Sequence, residues 1–239
     1  MTPKKTLFFT ILYNRPKMLR LAALNLLTHA VNGRYVLWDN GDDPEVTKFC
    51  EKLIKENDNP SVEVIYHKSE NIGLNAAKKV VDNYLDGAEY IMSIDEDLLF
   101  IQMGFQSILQ DTLIDAKGSI GYIACNVFQD GFTNGARPGL EQYRRGDVGG
   151  RRVLYGATGG WASMTPTDMY KAIGGYPEQE SKFFGLDGQF SSNFHKAGIE
   201  TCLAEDVLVY HASGKAWNDY FNYQKIHQDK MNAYNSSKR

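Results

Sequence analysis

The sequence predicts an α/β fold with a doubly wound, mostly parallel sheet flanked by helices. Three observations predict it. Apolar, β-branched or aromatic runs of about five to seven residues alternate with runs of helical period over the first part of the chain. Polar turn clusters follow the runs, at Tyr13-Asn14-Arg15-Pro16, Asn40-Gly41-Asp42-Asp43-Pro44 and Asn71-Ile72-Gly73. The fourth run ends in three consecutive carboxylates, Asp95, Glu96 and Asp97.

Thr6–Leu12 is rich in β-branched and aromatic residues and reads as a fully buried strand. Pro16 suits the first turn of the helix that follows, and Met18, Leu21, Ala22, Leu26 and Leu27 mark its apolar face up to Ala30. Tyr35–Asp39 is a second strand and Val46–Glu56 a second helix. Val62–His67 is a third strand. Asn75–Leu85 is a helix stopped by Asp86-Gly87, and Tyr90–Ile94 is a fourth strand. Beyond Phe100 the pattern loosens. Phe105–Ala116 reads as a helix, Ile120–Phe128 as a strand, and Gln129–Gly160 as a long irregular loop holding Arg144, Arg145, Arg151 and Arg152. A strand over Trp161–Thr165, helices over Pro166–Ile173 and Leu186–Ala197, and a strand over Thr201–Tyr210 complete the expectation.

The 239 residues suffice for one large α/β domain, and no linker or repeat divides them. A net charge of −3 gives no global pull toward nucleic acid or anionic membrane. Cys50, Cys125 and Cys202 are too scattered for a metal-ligand spacing or a disulfide framework and read as buried thiols of a reducing compartment. No run approaches a membrane span, and the apolar stretch after Lys5 is too short for a signal peptide. A soluble, cytoplasmic protein is the expectation.

In open parallel sheets ligands bind at the carboxyl ends of the strands. That rule puts Tyr13, Asp39, Asn71 and Asp95–Asp97 along one rim. Crowded carboxylates repel unless a cation sits among them, and hard oxygen ligands suit Mg²⁺ or Mn²⁺. Mg²⁺ held by one or two carboxylates takes its remaining ligands from water and substrate phosphates. The rim therefore suggests a metal-bound diphosphate, against the plainer reading of a solvated acidic turn.

The same segments resemble, in order, inverting glycosyltransferases of the family-2 type with the GT-A fold. Thr10–Pro16 is similar to the family's first strand and its T-x-x-Y-N-R-P end, and Val36–Gly41 to its second strand, whose Asp reads the nucleotide base. Asn71–Ala77 is similar to its N-x-G-x-x-x-A element, and Ile94–Asp97 to its D-x-D metal motif. Gly159–Ala162 falls at its acceptor-side glycine segment, Phe183–Asp187 at its F-x-G-E-D, and Val209–His211 at its closing V-Y-H. The resemblance runs from Thr6 to about Gly214. It departs at Leu186, where the family has Glu, and at Gln189. The Q-x-x-R-W motif of processive synthases is absent, so a single-transfer enzyme is implied.

The resemblance implies a GT-A-like, Rossmann-type, nucleotide-sugar-binding domain over 1–239: about 1–100 for the nucleotide, about 101–214 for the acceptor, and a tail from about 215. It implies a metal-dependent, inverting, hexosyltransferase-like enzyme. The donor is a nucleotide sugar, with a UDP-sugar favoured through Asp39, and the acceptor bears a hydroxyl, on a glycan precursor, a small metabolite or a nucleic-acid base. Leu12, Tyr13, Arg15, Asp39, Asn71, Gly73, Lys78, Asp95 and Glu96 fall to the nucleotide, Asp97 and His211 to the metal, and Gly160 and Trp161 to the acceptor side. Asp187 is the candidate general base.

Several of these residues carry plainer readings. Alternation along an extended segment turns Glu96 away from its neighbours. An imidazole ligand tilts the metal toward Mn²⁺. Asp187 also fits a helix N-cap, Asp39 an Asx turn, and Trp161 a core position. Arg15 and Lys78 also read as surface charge. The arginine pairs fit either a phosphate clamp or a solvated loop. The aromatic, basic tail from Trp217 fits a cover over the site, a dimer surface or a nucleic-acid contact, the last disfavoured by net charge. A nucleotidyltransferase and a non-catalytic nucleotide- or carbohydrate-binding module are the rival readings. The first lacks a glycine-rich phosphate loop at Tyr13–Pro16, and the second rests only on the missing glutamate.

Overall fold

The computed structural model describes residues 3–130, 138–182, 185–212, 215–226, 228 and 232. Phe183 and Phe184 of the F-F-G-L-D segment, Gly214 and most of the tail beyond 226 lie outside the described residues.

The chain runs β1 (Thr6–Leu12), α1 (Pro16–His29), β2 (Gly33–Asp39), α2 (Pro44–Glu56), β3 (Val62–Lys68), α3 (Ala76–Tyr84), β4 (Tyr90–Ile94), β5 (Leu98–Phe100), α4 (Phe105–Asp115) and β6 (Ile120–Val127). It continues through β7 (Arg144–Val148), β8 (Arg151–Tyr155), β9 (Ala162–Pro166), α5 (Thr167–Ala172), α6 (Leu186–Lys196), β10 (Glu200–His211) and α7 (Lys215–Phe221). The strands form one sheet ordered β3-β2-β1-β4-β9-β6-β10-β8-β7, with β5 also paired to β10. The strands β1–β4, β6, β7 and β10 run one way, and β5, β8 and β9 run against them.

Each face of the sheet buries its own apolar layer, and β1 shows how. Phe8 and Leu12 point to the layer that holds Leu19 and Leu26 of α1, Val46 and Leu53 of α2 and Leu109 of α4. Leu7 and Phe9 point to the other layer, with Ala77 and Val80 of α3 and Phe190 and Phe194 of α6. Side chains alternate along a strand, so a continuous apolar run with both faces covered is what the sequence of β1 requires. α2 starts on an Asp43 side chain that accepts from Glu45 N, with Pro44 in the first turn.

Three strands escape the sequence reading. The hairpin β7–β8 lies inside the stretch expected to be irregular. Its edge strand is Arg144-Arg145-Gly146-Asp147-Val148, exposed along most of its length, so it carries no apolar alternation. Gly149 and Gly150, both at positive φ, make its turn; a Gly-Gly pair between extended segments was the available signal. The arginines here are not gathered into a basic loop. Arg144 pairs with Glu200 and lies over the Tyr155 ring, Arg151 pairs with Asp111 and Asp115, and Arg152 with Asp206. The other missed strand, β5, is only three residues long and folds back along the end of β10.

Candidate functional site

The carboxyl ends of β1, β2, β4 and β10 surround a cavity of about 450 Å³ that opens on the face covered by α3 and α6. Strand pairing assembles its chemistry. Asp95, Glu96 and Asp97 occupy the bend between β4 and β5. Because β5 pairs with β10 so that Leu98 faces His211, His211 comes to lie beside Asp97, and Ala212 N donates to Asp97 O at 2.8 Å. Because β9 pairs antiparallel with β4, the residues before β9 lie beside those after β4, and Asp95 N donates to Trp161 O at 2.8 Å.

Asp95, Asp97 and His211 each offer one ligand atom, and these atoms all lie within 4.8 Å of one another. His211 Nε2 is 3.1 Å from Asp97 Oδ1 and 3.4 Å from Asp95 Oδ2. Asp97 and His211 are buried, whereas Asp95 is half exposed at the cavity. Burial opposes the imidazolium, yet Asp97 and Asp95 outweigh it, so the His211 pKa lies above its ordinary 6.5. Its Nδ1 has no hydrogen-bond partner among the described residues, and its Nε2 is aimed at both carboxylates, where it could serve a metal ion. Two carboxylate oxygens and one imidazole nitrogen, with room beside them, fit a divalent ion of the Mn²⁺ or Mg²⁺ kind. Asp95, which the sequence reading gave to the nucleotide, lies with Asp97 and His211 in the cluster that could hold such an ion and also lines the cavity.

Glu96 and Arg15 form the support. Arg15 Nε donates to Glu96 Oε1 and Nη1 to Asp97 Oδ2, both at 2.7 Å, with all three side chains buried. Glu96 Oε2 accepts from Tyr13 N at 2.9 Å. Burial opposes the Arg15 charge, but Asp97 and Glu96 outweigh it and hold the guanidinium protonated.

On the other side of the cavity, Asp187 stands in the first turn of α6 and its Oδ2 accepts from Gly160 N at 3.3 Å. Ser93 donates to Gly160 O at 3.1 Å, which ties that peptide to β4. A side chain at Gly160 would stand in contact with Asp187. Gly73, at φ +61, packs against Lys182 too closely for a Cβ, and Asn71 Oδ1 accepts from its N–H in an Asx turn. Asn75 holds the segment carrying Lys182 by two hydrogen bonds to Gln179, at 2.8 and 2.9 Å.

Tyr13, Arg15, Asn71, Gly73, Asp95, Glu96, Asp97, Gly160, Asp187 and His211 all line the cavity. Four expected site residues do not. Leu12 shares the strand face of Phe8, under α1 and α2, and is fully buried in that layer. Asp39 has the parity of Tyr35 and Leu37 and is fully buried; its oxygens accept from Gly41 N, Tyr66 Oη and Lys68 Nζ, each at 2.8 Å. Its neighbour Asn40 lines the cavity instead and donates to Gly73 O at 2.9 Å. Lys78 lies outside the cavity, 3.9 Å from Glu178. Trp161 is a core residue whose Nε1 donates to Cys125 O at 2.8 Å.

The cavity also holds residues the sequence reading did not select. Phe9, Ile11, Tyr122 and Tyr176 form an apolar wall below the rim. Phe9 and Ile11 alternate with Tyr13 on one strand face, so period two from Tyr13 was a usable signal. Asn218 and Ile226 come from the C-terminal segment. That segment is anchored by Tyr223 Oη, which accepts from Lys17 N at 3.0 Å, and by packing of Met18 against Ala212 and Tyr223. Asn218 and Ile226 thus bring part of the tail to the edge of the cavity.

No family model matches the chain, and no curated protein matches it. Solved structures do. The protein is similar to GalNAc-T7, solved with UDP, GalNAc and Mn²⁺, at a TM-score of 0.68 and 11% identity over 88% of this chain and 44% of that one. It is similar to the mannosyltransferase PcManGT from Pyrobaculum calidifontis, solved with GDP-Man and Mn²⁺, at 0.62 and 15% identity over 90% of this chain and 58% of that one. S. aureus TarS matches at 0.62 and 13% identity over 87% of this chain and 36% of TarS. The chain therefore spans about half or less of two of these proteins and under two thirds of the third. No helix among the described residues is long and apolar enough to cross a membrane. The mixed α/β sheet, its flanking helices and these likenesses give the chain the fold of GT-A-type glycosyltransferases.

Proposed function

We propose that the protein is a metal-dependent glycosyltransferase that moves a sugar from a nucleotide-sugar donor to a hydroxyl acceptor with inversion at the anomeric carbon. The observation that carries this reading is the Asp95–Asp97–His211 cluster facing Asp187 across one cavity on a GT-A fold. We read residues 1–239 as one such domain, with the nucleotide at the ends of β1–β4 and the acceptor toward Gly160 and α6. The structural neighbours solved with UDP or with GDP-Man, each with Mn²⁺, support the donor class and the metal.

In this reading Asp95, Asp97 and His211 hold a divalent ion, Mn²⁺ or Mg²⁺, that offsets the charge of the departing diphosphate. Asn40, Asn71 and the Gly73 backbone border the nucleotide. Asp187 takes the proton from the acceptor hydroxyl as that oxygen bonds to the anomeric carbon and the sugar–diphosphate bond breaks. Two main-chain donors orient the Asp187 carboxylate, Gly160 N–H at Oδ2 and Gly188 N–H at Oδ1. The Asp39 carboxylate is committed to internal partners, so the preference for UDP has no support from it, and the base is open to direct assay.

The test is nucleoside diphosphate release from a panel of UDP- and GDP-sugars with Mn²⁺, with and without simple sugar acceptors. Turnover of at least one donor, abolished by a chelator and by Asp97→Ala, is expected. Pyrophosphate release from nucleoside triphosphates, or no turnover of any donor, would contradict the proposal.

A further inference from the structure

We propose that Lys182 binds the diphosphate of the donor, as a cation held on the α3 and α6 side of the cavity. The assignment rests on the nucleotide-sugar reading proposed above.

Three observations support it. The first is that Lys182 has its charge to spare. It lines the cavity, is exposed, and forms no hydrogen bond or ion pair among the described residues. The other Lys or Arg of the lining, Arg15, is buried, with Nε and Nη1 bonded to Glu96 and Asp97.

The second is that the backbone places Lys182 closely. A Cβ at Gly73 would fall 2.5 Å from Lys182 Cα, so the glycine lets the two chain segments touch. Gln179, on the same segment as Lys182, is buried. Its backbone exchanges two bonds with the Asn75 side chain, and its Nε2 donates to Gln189 Oε1 of α6 at 3.0 Å. The segment is thereby tied both to the start of α3 and to α6. Lys182 thus touches Gly73, on the nucleotide side, and lies on the segment that leads into Asp187, on the acceptor side. In a nucleotide sugar the diphosphate joins those two sides.

The third is the sign of the cavity. Asp95, Glu96, Asp97 and Asp187 all line it, so an entering diphosphate meets carboxylates of its own charge. A metal ion offsets this at the Asp95–Asp97–His211 cluster. Lys182 supplies a positive charge outside that cluster, and an ammonium on a flexible stem meets phosphate oxygens as a point charge, without the fixed fork of a guanidinium.

The experiment is calorimetric titration of UDP and GDP, with Mn²⁺ present, on wild type, Lys182→Gln and Lys182→Arg at two salt concentrations. Mn²⁺ affinity without nucleotide and melting temperatures are recorded alongside. For the nucleotide that wild type binds, Lys182→Gln is expected to weaken binding about tenfold. It should also flatten the salt dependence, because a charge contact has gone. Mn²⁺ affinity and melting temperature should match wild type, since the side chain is exposed and outside the metal cluster. Lys182→Arg keeps the charge and should stay within about threefold of wild-type affinity. Unchanged nucleotide affinity in Lys182→Gln would overturn the proposal, and a raised acceptor KM in that variant would assign Lys182 to the acceptor instead. Equal losses in both variants would also overturn it, since shape and not charge would then be at work. So would a loss accompanied by weaker Mn²⁺ binding or a lowered melting temperature, which would place the defect in the metal centre or the fold. A wild type that binds neither nucleotide with Mn²⁺ would overturn the proposed function itself, and this assignment with it.

Discussion

Asp187 illustrates how a single side chain carries two roles at once. It stands in the first turn of α6, where a carboxylate is favoured by the helix dipole, and it accepts a bond from the Gly160 N–H. Asp187→Asn keeps the shape but cannot take a proton. Turnover is expected to fall roughly a hundredfold or more with donor affinity near wild type. Steady-state kinetics beside a donor-binding titration check this, and full turnover by the variant would reduce Asp187 to a helix-start residue. Where a side chain's chemistry alone marked a residue, as for Asp97, His211, Asn71 and Asp187, that residue lines the cavity. Leu12 and Asp39 do not line it, because the strand face on which a residue lies depends on which helices cover each side. β1 and β2 are apolar on both faces, so their sequences carry no mark of which parity meets the cavity. The turn after β2 was correctly placed at the rim, but the carboxylate of Asp39 points down into the layer of α1 and α2 and Asn40 takes the exposed place. The Arg15–Glu96–Asp97 cluster was likewise invisible, since it joins residues about eighty positions apart through the pairing of β1 with β4.

At the scale of elements, the helical and strand periods of the first half were legible to within a few residues. They fell short where an element lacked a buried face, as β7 does, or was too short to show a period, as β5 is. α7 belongs with these. Its aromatic content was visible, its place was not, because contacts far apart in sequence fix it: Tyr223 to Lys17, and Trp217 Nε1 to Tyr210 Oη at 3.3 Å. Among the described residues Lys17 N, in the first turn of α1, has no partner but Tyr223 Oη, so Tyr223 both caps that helix and holds Ile226 and Asn218 at the cavity. Tyr223→Phe should cost about 1 kcal/mol of stability, a lowering of about 2–4 °C in melting temperature. It should also raise the KM for donor or acceptor with little change in kcat, since the segment borders the cavity without touching the proposed base. A lowered melting temperature with unchanged KM would make the segment a packing element only.

For the molecule as a whole, the half built from β1–β4 and α1–α3 was readable because each helix covers one face of a parallel sheet and each turn returns to the same rim. The second half mixes strand directions and places β9 between β4 and β6, a crossover that local pattern does not encode. That crossover brings Gly160 and Asp187 to the acid cluster, so the part hardest to foresee is the one that turns an acidic rim into a two-sided cavity. The proposed function requires that Asp95, Asp97 and His211 hold a divalent ion that in turn holds a nucleoside diphosphate. Calorimetric titration with UDP and with GDP, in Mn²⁺ and in chelator, on wild type and His211→Ala, tests it most directly. One of the two nucleotides is expected to bind wild type at least tenfold more tightly with Mn²⁺ than without, and His211→Ala to lose most of that gain. Metal-independent binding of equal strength in both proteins, or no binding of either nucleotide with Mn²⁺ present, would contradict it.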